Sequence, residues 1–172
     1  MTTLIECIPN VSEGRRPEVV AAIRNAAVAA GPGVLLLDWT SDADHNRSVL
    51  TFLGDGPGLL RAMEAMVDEA LRHVDLTKHE GEHPRLGAVD VIPFVPIRGA
   101  TTADCGGLAK QLGARLAEKH GLPIYLYEDA ATSEPRRNLA TIRKGEFEGL
   151  AEKMKSPEWR PDFGPGAPHP TA

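Results

Sequence analysis

Two kinds of hydrophobic spacing alternate along residues 4–97, and this alternation constrains the possible folds more than any other feature of the chain. Short apolar runs, either continuous or alternating with polar residues, occupy residues 4–8, 34–37, 48–53 and 89–97. Apolar residues three and four positions apart occupy residues 17–30 and 59–71. Because the first spacing is typical of β-strands and the second of amphipathic helices, the sequence predicts the order strand, helix, strand, strand, helix, strand.

This order is that of the ferredoxin-like, or split βαβ, arrangement. Apolar spacing at residues 108–117 predicts a third helix that ends at Gly121, and the apolar run 124–127 predicts one more strand. We therefore expect an α+β fold, an α/β sandwich in which helices cover one face of a mixed sheet. The other face of such a sheet has to be covered by another domain, a partner subunit or a ligand.

The composition of the chain changes near its C-terminus. Short helices are expected at residues 135–142 and 146–155, and residues 157–172 then contain five prolines. Proline-rich segments are typical of extended linkers. We therefore expect one domain over residues 1–156, followed by a Pro- and Gly-rich tail over residues 157–172.

The charge balance and the apolar runs argue against several classes of protein. With 19 Lys and Arg against 24 Asp and Glu, the net charge is −5, which disfavours nucleic-acid binding because phosphate attraction requires a basic surface. No apolar run approaches the roughly 20 residues of a bilayer span, and the N-terminus lacks the pattern of a secretion signal. We therefore expect a cytoplasmic protein. Cys7 and Cys105 lie in separate apolar segments, which predicts buried thiols rather than a disulfide or a metal site.

Residues 78–90, with the sequence KHEGEHPRLGAVD, form a loop that is dense in titratable groups. The loop lies between a helix-like run and a strand-like run, so that regular elements hold both of its ends. Loops of this kind are where binding and catalytic residues concentrate. Two interpretations of this loop are incompatible, one based on a metal ion and one based on a single acid/base histidine.

The metal interpretation starts from His79, Glu80 and His83, which spell the H-E-x-x-H motif of zinc peptidases. That motif requires one helical turn, so that both imidazoles share a face. Gly81 disfavours a helix by roughly 1 kcal/mol. Pro84 restricts the preceding residue to non-helical angles. Without a third ligand on a recognisable partner helix, a zinc metallopeptidase remains the lesser alternative, and we expect no metal site.

The acid/base interpretation does not require residues 79–83 to form a helical turn. Glu80 and Glu82 are expected to raise the pKa of His83 toward the working pH, which suits a general acid or base. Pro84 and Arg85 would fix the ring and neutralise an anionic substrate. The competing explanation is a solvated histidine within a surface charge cluster.

Several motifs along the chain occur in one collinear order. They are ECIPNVSEGR at residues 6–15, DHNR at 44–47, GEHPRLGA at 81–88, PIYLY at 123–127 and WRPDFGP at 159–165. Together they resemble the N-terminal subdomain of the glutamate formiminotransferase (formimidoyltransferase) family, and the resemblance covers nearly the whole chain. It implies an enzyme that transfers one-carbon groups.

The resemblance implies an activity, substrates and site residues. The reaction is the transfer of the formimino group of N-formimino-L-glutamate to N5 of tetrahydrofolate, a step of histidine degradation and one-carbon metabolism, with tetrahydrofolate as co-substrate and no metal. His83 lies where the family has its catalytic histidine. The segment that contacts folate falls on Gly164, Pro165, Gly166, Ala167, Pro168, His169, Pro170, Thr171 and Ala172. Arg47, Arg85, Arg98 and Asn46 are further candidates for binding the substrate or folate, because guanidinium groups grip carboxylates.

The chain departs from the family pattern in three respects. Glu80 stands where the family usually has Lys or Arg, and Thr40 stands where many members carry an aspartate, a place that Asp42 or Asp44 could fill. Family members also continue through a second subdomain, whose sheet covers the first and completes the folate channel. We therefore expect a homodimer, or pairing with a second-subdomain chain. The alternative function is a non-catalytic folate-binding or dimerisation module.

Overall fold

The computed structural model describes residues 3–172, in which six short strands and five α-helices follow the predicted order. The strands are β1 (Leu4–Cys7), β2 (Asn10–Val11), β3 (Leu35–Asp42), β4 (Arg47–Gly54), β5 (Val89–Val91) and β6 (Phe94–Arg98). The helices are α1 (Pro17–Ala30), α2 (Gly56–His73), α3 (Thr102–His120), α4 (Leu139–Arg143) and α5 (Glu146–Lys153). Short 3₁₀ turns lie at Leu76–Lys78, Glu128–Ala130, Glu134–Arg137 and Pro157–Trp159.

The strands form a single sheet around β4. On one side β4 pairs with β1 and with β2, which follow each other along the chain and are separated by two residues before Asn10. On its other side β4 pairs with β3. The outer edge beyond β1 and β2 is formed by β6 and β5. Every one of these pairings is antiparallel, so the prediction of a mixed sheet is wrong. The reason is that α1 and α2 connect strands that are not neighbours in the sheet, which leaves no parallel pair.

The core lies between the sheet and the helices that cover one of its faces. From the sheet, Leu50 and Phe52 of β4 are fully buried, and they alternate with partly exposed residues as expected for a strand with one covered face. From the helices, Ile23 of α1 and Met63 and Met66 of α2 meet them. Burial of each such side chain stabilises the fold by roughly 1.5–3 kcal/mol. The predicted α+β sandwich with helices on one face is confirmed.

The opposite face of the sheet exposes apolar side chains. Val95 of β6 pairs with Glu6 of β1. Because Glu6 alternates with the buried residues Ile5 and Cys7, Glu6 and Val95 both point away from the helices. Leu35 and Leu37 of β3 and Val95 and Ile97 of β6 are between 37% and 59% exposed. The described residues 3–172 therefore leave this face open, as the sequence predicted.

The predicted strand at residues 124–127 is wrong. This segment makes one isolated bridge, in which Ile124 pairs with Phe163, and its backbone otherwise bonds to residues near the C-terminus. The N–H of Ile124 donates to the carbonyl of Phe163 at 2.9 Å, and the N–H of Asp162 donates to the carbonyl of Ile124 at 2.8 Å. The apolar run is therefore tied to the tail and adds no strand to the sheet.

The Pro- and Gly-rich segment 157–172 lies against the rest of the chain. Its last residue, Ala172, is buried and packs with Val74, Leu76 and Ala88. The N–H of Leu76 donates to the carbonyl of Thr171 at 2.8 Å. The end of the tail is thus attached to the turn that precedes the loop 78–90, while a domain boundary at residue 156 stays a prediction. Among the helices of residues 3–172, none combines the length and the hydropathy that a membrane crossing requires.

Candidate active site

Residues 79–83 do not form a helical turn, which contradicts the zinc-peptidase interpretation. Both ring nitrogens of His79 are already engaged: Nδ1 accepts from Arg85 Nε at 3.1 Å, and Nε2 donates to the carbonyl of Asn46 at 3.0 Å. Within residues 3–172, no three or more His, Cys, Asp or Glu side chains converge as a metal site requires. The backbone cost predicted for Gly81 and Pro84 explains the irregular conformation. His79 therefore helps to hold the loop.

His83 lies in the same loop with its Nδ1 directed at the protein. The carbonyl oxygen of Pro84 is 2.7 Å from Nδ1, and Nη1 of Arg47 is 3.2 Å from it. A carbonyl only accepts hydrogen bonds, so the shorter contact assigns the proton to Nδ1, which donates to Pro84. In this tautomer Nε2 carries the lone pair. Nε2 is then the ring nitrogen that can accept a proton.

The pKa of His83 is lowered from its usual value of 6.5. Burial is the main cause, and the positive charges of Arg47 and Arg143 add to it, while the Pro84 carbonyl and Asp90 oppose it. The sequence had predicted the opposite shift from Glu80 and Glu82, and this prediction is wrong.

Glu80 and Glu82 are exposed, and the charged groups that reach the imidazole come from distant parts of the chain. The lowered pKa of His83 favours the neutral ring, which is the form that accepts a proton.

A buried carboxylate organises the positive charges behind His83. Asp90 of β5 has a side chain that is 1% exposed, and it accepts from Arg47 Nη1 at 2.9 Å and from Arg143 of α4. Its second oxygen accepts from the N–H of Leu86 at 2.8 Å. Asp90 therefore joins β4, α4 and the histidine loop at one point. A buried charge of this kind needs such partners, since isolated burial is costly.

Sequence reasoning had missed Asp90 and Arg143. The available signal was a single carboxylate inside the apolar run Val89–Val91, because a charge in a buried strand implies a partner elsewhere. Nothing in the sequence indicated that the partners are Arg47 and Arg143.

Asn46 connects three loops. It has a positive φ of 48°, a conformation that asparagine tolerates better than most residues, and it is 8% exposed. Its side-chain oxygen accepts from the N–H of Gly14 at 2.9 Å, and its amide donates to the carbonyl of Glu80 at 2.9 Å. Asn46 had been predicted to bind substrate or folate. These contacts favour a role in fixing the loops.

Arg85 is 6% exposed and faces α5. Its guanidinium contacts Glu146 at 2.9 Å and Glu148 at 2.7 Å, and it also bonds to His79. These partners engage the donors that a substrate carboxylate would need, which favours an anchoring role over the predicted substrate contact. Arg47, which is 9% exposed, is likewise occupied by Asp90 and by Asn10 at 3.0 Å.

The predicted folate segment, residues 164–172, starts on an exposed stretch and ends near the histidine loop. Residues 164–167 are exposed to solvent. Gly164 has a positive φ of 88°, and a Cβ there would lie 2.1 Å from the carbonyl oxygen of Leu122, so that glycine is required. At the other end, Ala172 packs beside Ala88, which belongs to the loop that carries His83. The structure therefore attaches the end of this segment to the base of the loop that carries His83.

Fold and site together define an α+β domain in which His83 lies against the buried cluster of Arg47, Asp90 and Arg143. The sequence matches the family described as "Formiminotransferase domain, N-terminal subdomain" over residues 4–172, and the chain belongs to this family. The resemblance found in the sequence motifs is thereby confirmed.

Curated relatives carry transferase names. The chain is 49% identical over 172 residues to the glutamate formimidoyltransferase of Streptococcus pyogenes serotype M1, covering 100% of this chain and 57% of the relative. It is 46% identical over 165 residues to the glutamate formimidoyltransferase of Thermoplasma acidophilum, covering 95% and 54%. It is 47% identical over 167 residues to the formimidoyltransferase-cyclodeaminase of Sus scrofa, covering 97% and 31%. The chain thus spans between about a third and somewhat over half of these relatives.

Proposed function

We propose that this chain is a glutamate formimidoyltransferase or its N-terminal half, which transfers the formimino group of N-formimino-L-glutamate to N5 of tetrahydrofolate. The observation that carries the proposal is the neutral, oriented His83 in front of the Arg47–Asp90–Arg143 cluster, in a chain that matches formimidoyltransferases along its length. Tetrahydrofolate serves as co-substrate. The reaction belongs to histidine degradation and one-carbon metabolism, and we place it in the cytoplasm.

His83 is the proposed general base and acid of the reaction. N5 of tetrahydrofolate attacks the carbon of the protonated amidine, whose C=N π electrons move onto its terminal nitrogen, and Nε2 of His83 takes the proton that N5 loses as the N5–C bond forms. The imidazolium is stabilised because its Nδ1–H donates to the Pro84 carbonyl at 2.7 Å. When the bond between carbon and the glutamate nitrogen breaks, the proton passes to that nitrogen. A shuttle of this kind typically accelerates a reaction about 10²- to 10⁴-fold.

The remaining predicted site residues have supporting roles in this proposal. Arg47, Asn46 and Arg85 hold the loops around His83 through the contacts described above. Residues 164–172 form part of the folate site, which their exposed start and their attachment beside Ala88 support. The positive charge of Arg47 and Arg143 next to the ring also suits substrates that carry carboxylates.

Replacement of His83 tests the proposed reaction. We expect His83→Gln to reduce formimino transfer at least about a hundredfold, since the shuttle is lost, with affinity for a folate analogue kept within about twofold. The matched control is His73→Gln, which removes an exposed histidine of α2 that is paired with Glu69. A His83→Gln protein with undiminished transfer would exclude the assignment.

One observation favours a second candidate function, a folate-binding or dimerisation module that needs another chain. The exposed Leu35, Leu37, Val95 and Ile97 form an apolar sheet face of the kind that marks interaction sites. A separate second-subdomain chain or a second copy of this chain would then cover it. Mass measurement with and without a folate analogue separates the two functions, because a monomer that binds no folate is not the transferase by itself.

A further inference from the structure

A second imidazole lies beside His83. The ring of His45, in the turn between β3 and β4, has its centroid 6.3 Å from that of His83, and the two ring planes meet at 63°. The side chain of His45 is 48% exposed, so one side of it faces solvent. Two imidazole rings at this separation can both contact one small ligand. His45 has no part in the reaction as described so far.

His45 is oriented by a carboxylate. Oδ1 of Asp42 lies 3.0 Å from Nδ1 of His45 and also accepts from the backbone N–H groups of His45 at 2.8 Å and Asp44 at 2.9 Å. A carboxylate only accepts hydrogen bonds, so Nδ1 of His45 carries a proton and donates to Asp42. Nε2 is then the nitrogen that is available to a ligand. An imidazole held in this way by a carboxylate is a recurrent arrangement for acid/base catalysis.

The loops that carry the two rings are in close contact. A Cβ on Gly81 would lie 2.3 Å from the carbonyl oxygen of His45, which only glycine permits. The N–H of Glu82 donates to the carbonyl of Asp44 at 3.2 Å, and Asn46 ties the same turn to Glu80. Because these contacts flank both histidines, the spacing of the rings is set by the fold.

The spacing of the rings suits a reaction at one carbon that carries two nitrogens. The attacking and the departing nitrogen of the tetrahedral intermediate lie about 2.4 Å apart, given ordinary C–N bond lengths. With a hydrogen bond of about 2.9 Å to each of these nitrogens, the two atoms that make the bonds would lie roughly 6–8 Å apart. This is a distance between two imidazole nitrogens, and rings with centroids 6.3 Å apart can place their Nε2 atoms within it, one on each nitrogen of the intermediate.

We propose that His45, in place of His83, is the general acid of the transfer and that His83 is its general base. This inference rests on the proposed function. His83 takes the proton of N5 as the N5–C bond forms, and the π electrons of the protonated amidine C=N bond move onto its terminal nitrogen. The imidazolium of His45 then gives its Nε2 proton to the glutamate nitrogen as the C–N bond breaks, and the lone pair of the terminal nitrogen re-forms the C=N bond. The electron pair of the broken C–N bond leaves with the glutamate nitrogen. The proton on His83 then returns to His45 through solvent, so the two histidines are restored.

The test combines His45→Gln with a change of leaving group. We expect His45→Gln to reduce kcat about a hundredfold with KM changed less than about threefold, because only the departure step loses its acid. A formimino donor with p-nitrophenoxide as its leaving group releases a stable oxyanion without protonation, so it should recover most of the lost rate. Asp42→Asn should reduce kcat less, and the control His73→Gln should leave it unchanged. Undiminished kcat in His45→Gln, or no recovery with the p-nitrophenoxide donor, overturns the role of His45 while leaving that of His83 intact.

A second measurement decides the case in which the unsubstituted chain shows no transfer and the proposed function itself fails. Proximity of the two rings in solution is measured by NMR without an activity assay. The ring protons of His45 and His83 should show a nuclear Overhauser effect, because the ring centroids lie 6.3 Å apart. The same signal should be lost in His45→Gln and kept in the control His73→Gln. Its absence in the unsubstituted chain overturns the pairing.

Discussion

Nη1 of Arg47 lies 3.2 Å from Nδ1 of His83 and 2.9 Å from the carboxylate of Asp90. One buried guanidinium thus connects the candidate base to the carboxylate that organises the site. After burial, Arg47 is the largest influence lowering the pKa of His83, whereas Asp90 opposes the shift. The ring and its charge environment therefore form one unit, and a change in Arg47 should be measurable at His83.

Replacement of Arg47 by methionine should raise the pKa of His83 toward 6.5. The substitution removes a repulsive cation and leaves Asp90, whose negative charge favours the imidazolium. If His83 is the base, the acid limb of kcat/KM should move to higher pH in the same variant, because activity is lost as pH falls through this pKa. An NMR titration of the ring measures the shift without an activity assay. The exposed Arg72→Met variant is the control, and a lowered pKa in Arg47→Met would contradict the assignment.

Gly81 should not tolerate a side chain. Gly81→Ala places a Cβ 2.3 Å from the carbonyl oxygen of His45, and this rigid backbone atom has to move. We expect a loss of about 1–3 kcal/mol in the free energy of unfolding, together with weaker formimino transfer, because the two loops separate. Gly107→Ala in α3 is the matched control, since its Cβ meets no atom within 4 Å and alanine favours the helix. Urea unfolding measures both, and equal stabilities would refute the close contact.

Arg85 should be needed for stability and not for substrate affinity. Arg85→Gln removes the contacts to Glu146 and Glu148, and we expect a loss of about 2 kcal/mol in the free energy of unfolding because the guanidinium is buried. KM for formiminoglutamate should change less than about twofold. Arg115→Gln, which breaks a partly exposed pair with Glu64, should cost at most about 1 kcal/mol. A large increase in KM with unchanged stability would instead support the substrate contact predicted from the sequence.

The order of the elements was predictable because it depends on local periodicity. In β4 the alternation of Leu50 and Phe52 with less buried residues identifies a strand without knowledge of its neighbours. Residues 124–127 have the same apolar and β-branched character, yet their backbone bonds to Asp162 and Phe163. Periodicity indicates that a segment is extended and buried, but it does not indicate which partner the segment meets.

The place of His83 in a loop dense in charges was predictable, while the electrostatics of its ring were not. His83 stood out because Pro84 and a dense set of charges surround it in the sequence. The groups that set its pKa were not visible, since Arg47 lies 43 residues and Arg143 lies 53 residues from Asp90, the carboxylate that they share. The sequence neighbours Glu80 and Glu82 point to solvent instead. The sign of the pKa shift therefore depended on tertiary packing.

Asp162 should hold the C-terminal segment in place. Its carboxylate pairs with Arg136 at 2.8 Å and accepts from the N–H of Leu126 at 2.8 Å, and the side chains of the pair are 7% and 8% exposed. Because removal of one member leaves the other buried without its charge partner, Asp162→Ala should lower the free energy of unfolding by about 3 kcal/mol. The amide of Leu126 should then exchange faster with solvent.

The same variant separates a structural tail from a functional one. Freed from Asp162, residues 164–172 lose the position beside Ala88, so that affinity for a folate analogue should fall at least about tenfold if they form part of the folate site. Asp129→Ala is the control, because Asp129 is 68% exposed and forms only a long contact of 3.5 Å with Arg137. Hydrogen exchange and calorimetric binding of the analogue are compared for both variants. Faster exchange in Asp162→Ala with unchanged folate affinity would show that the segment has only a structural role.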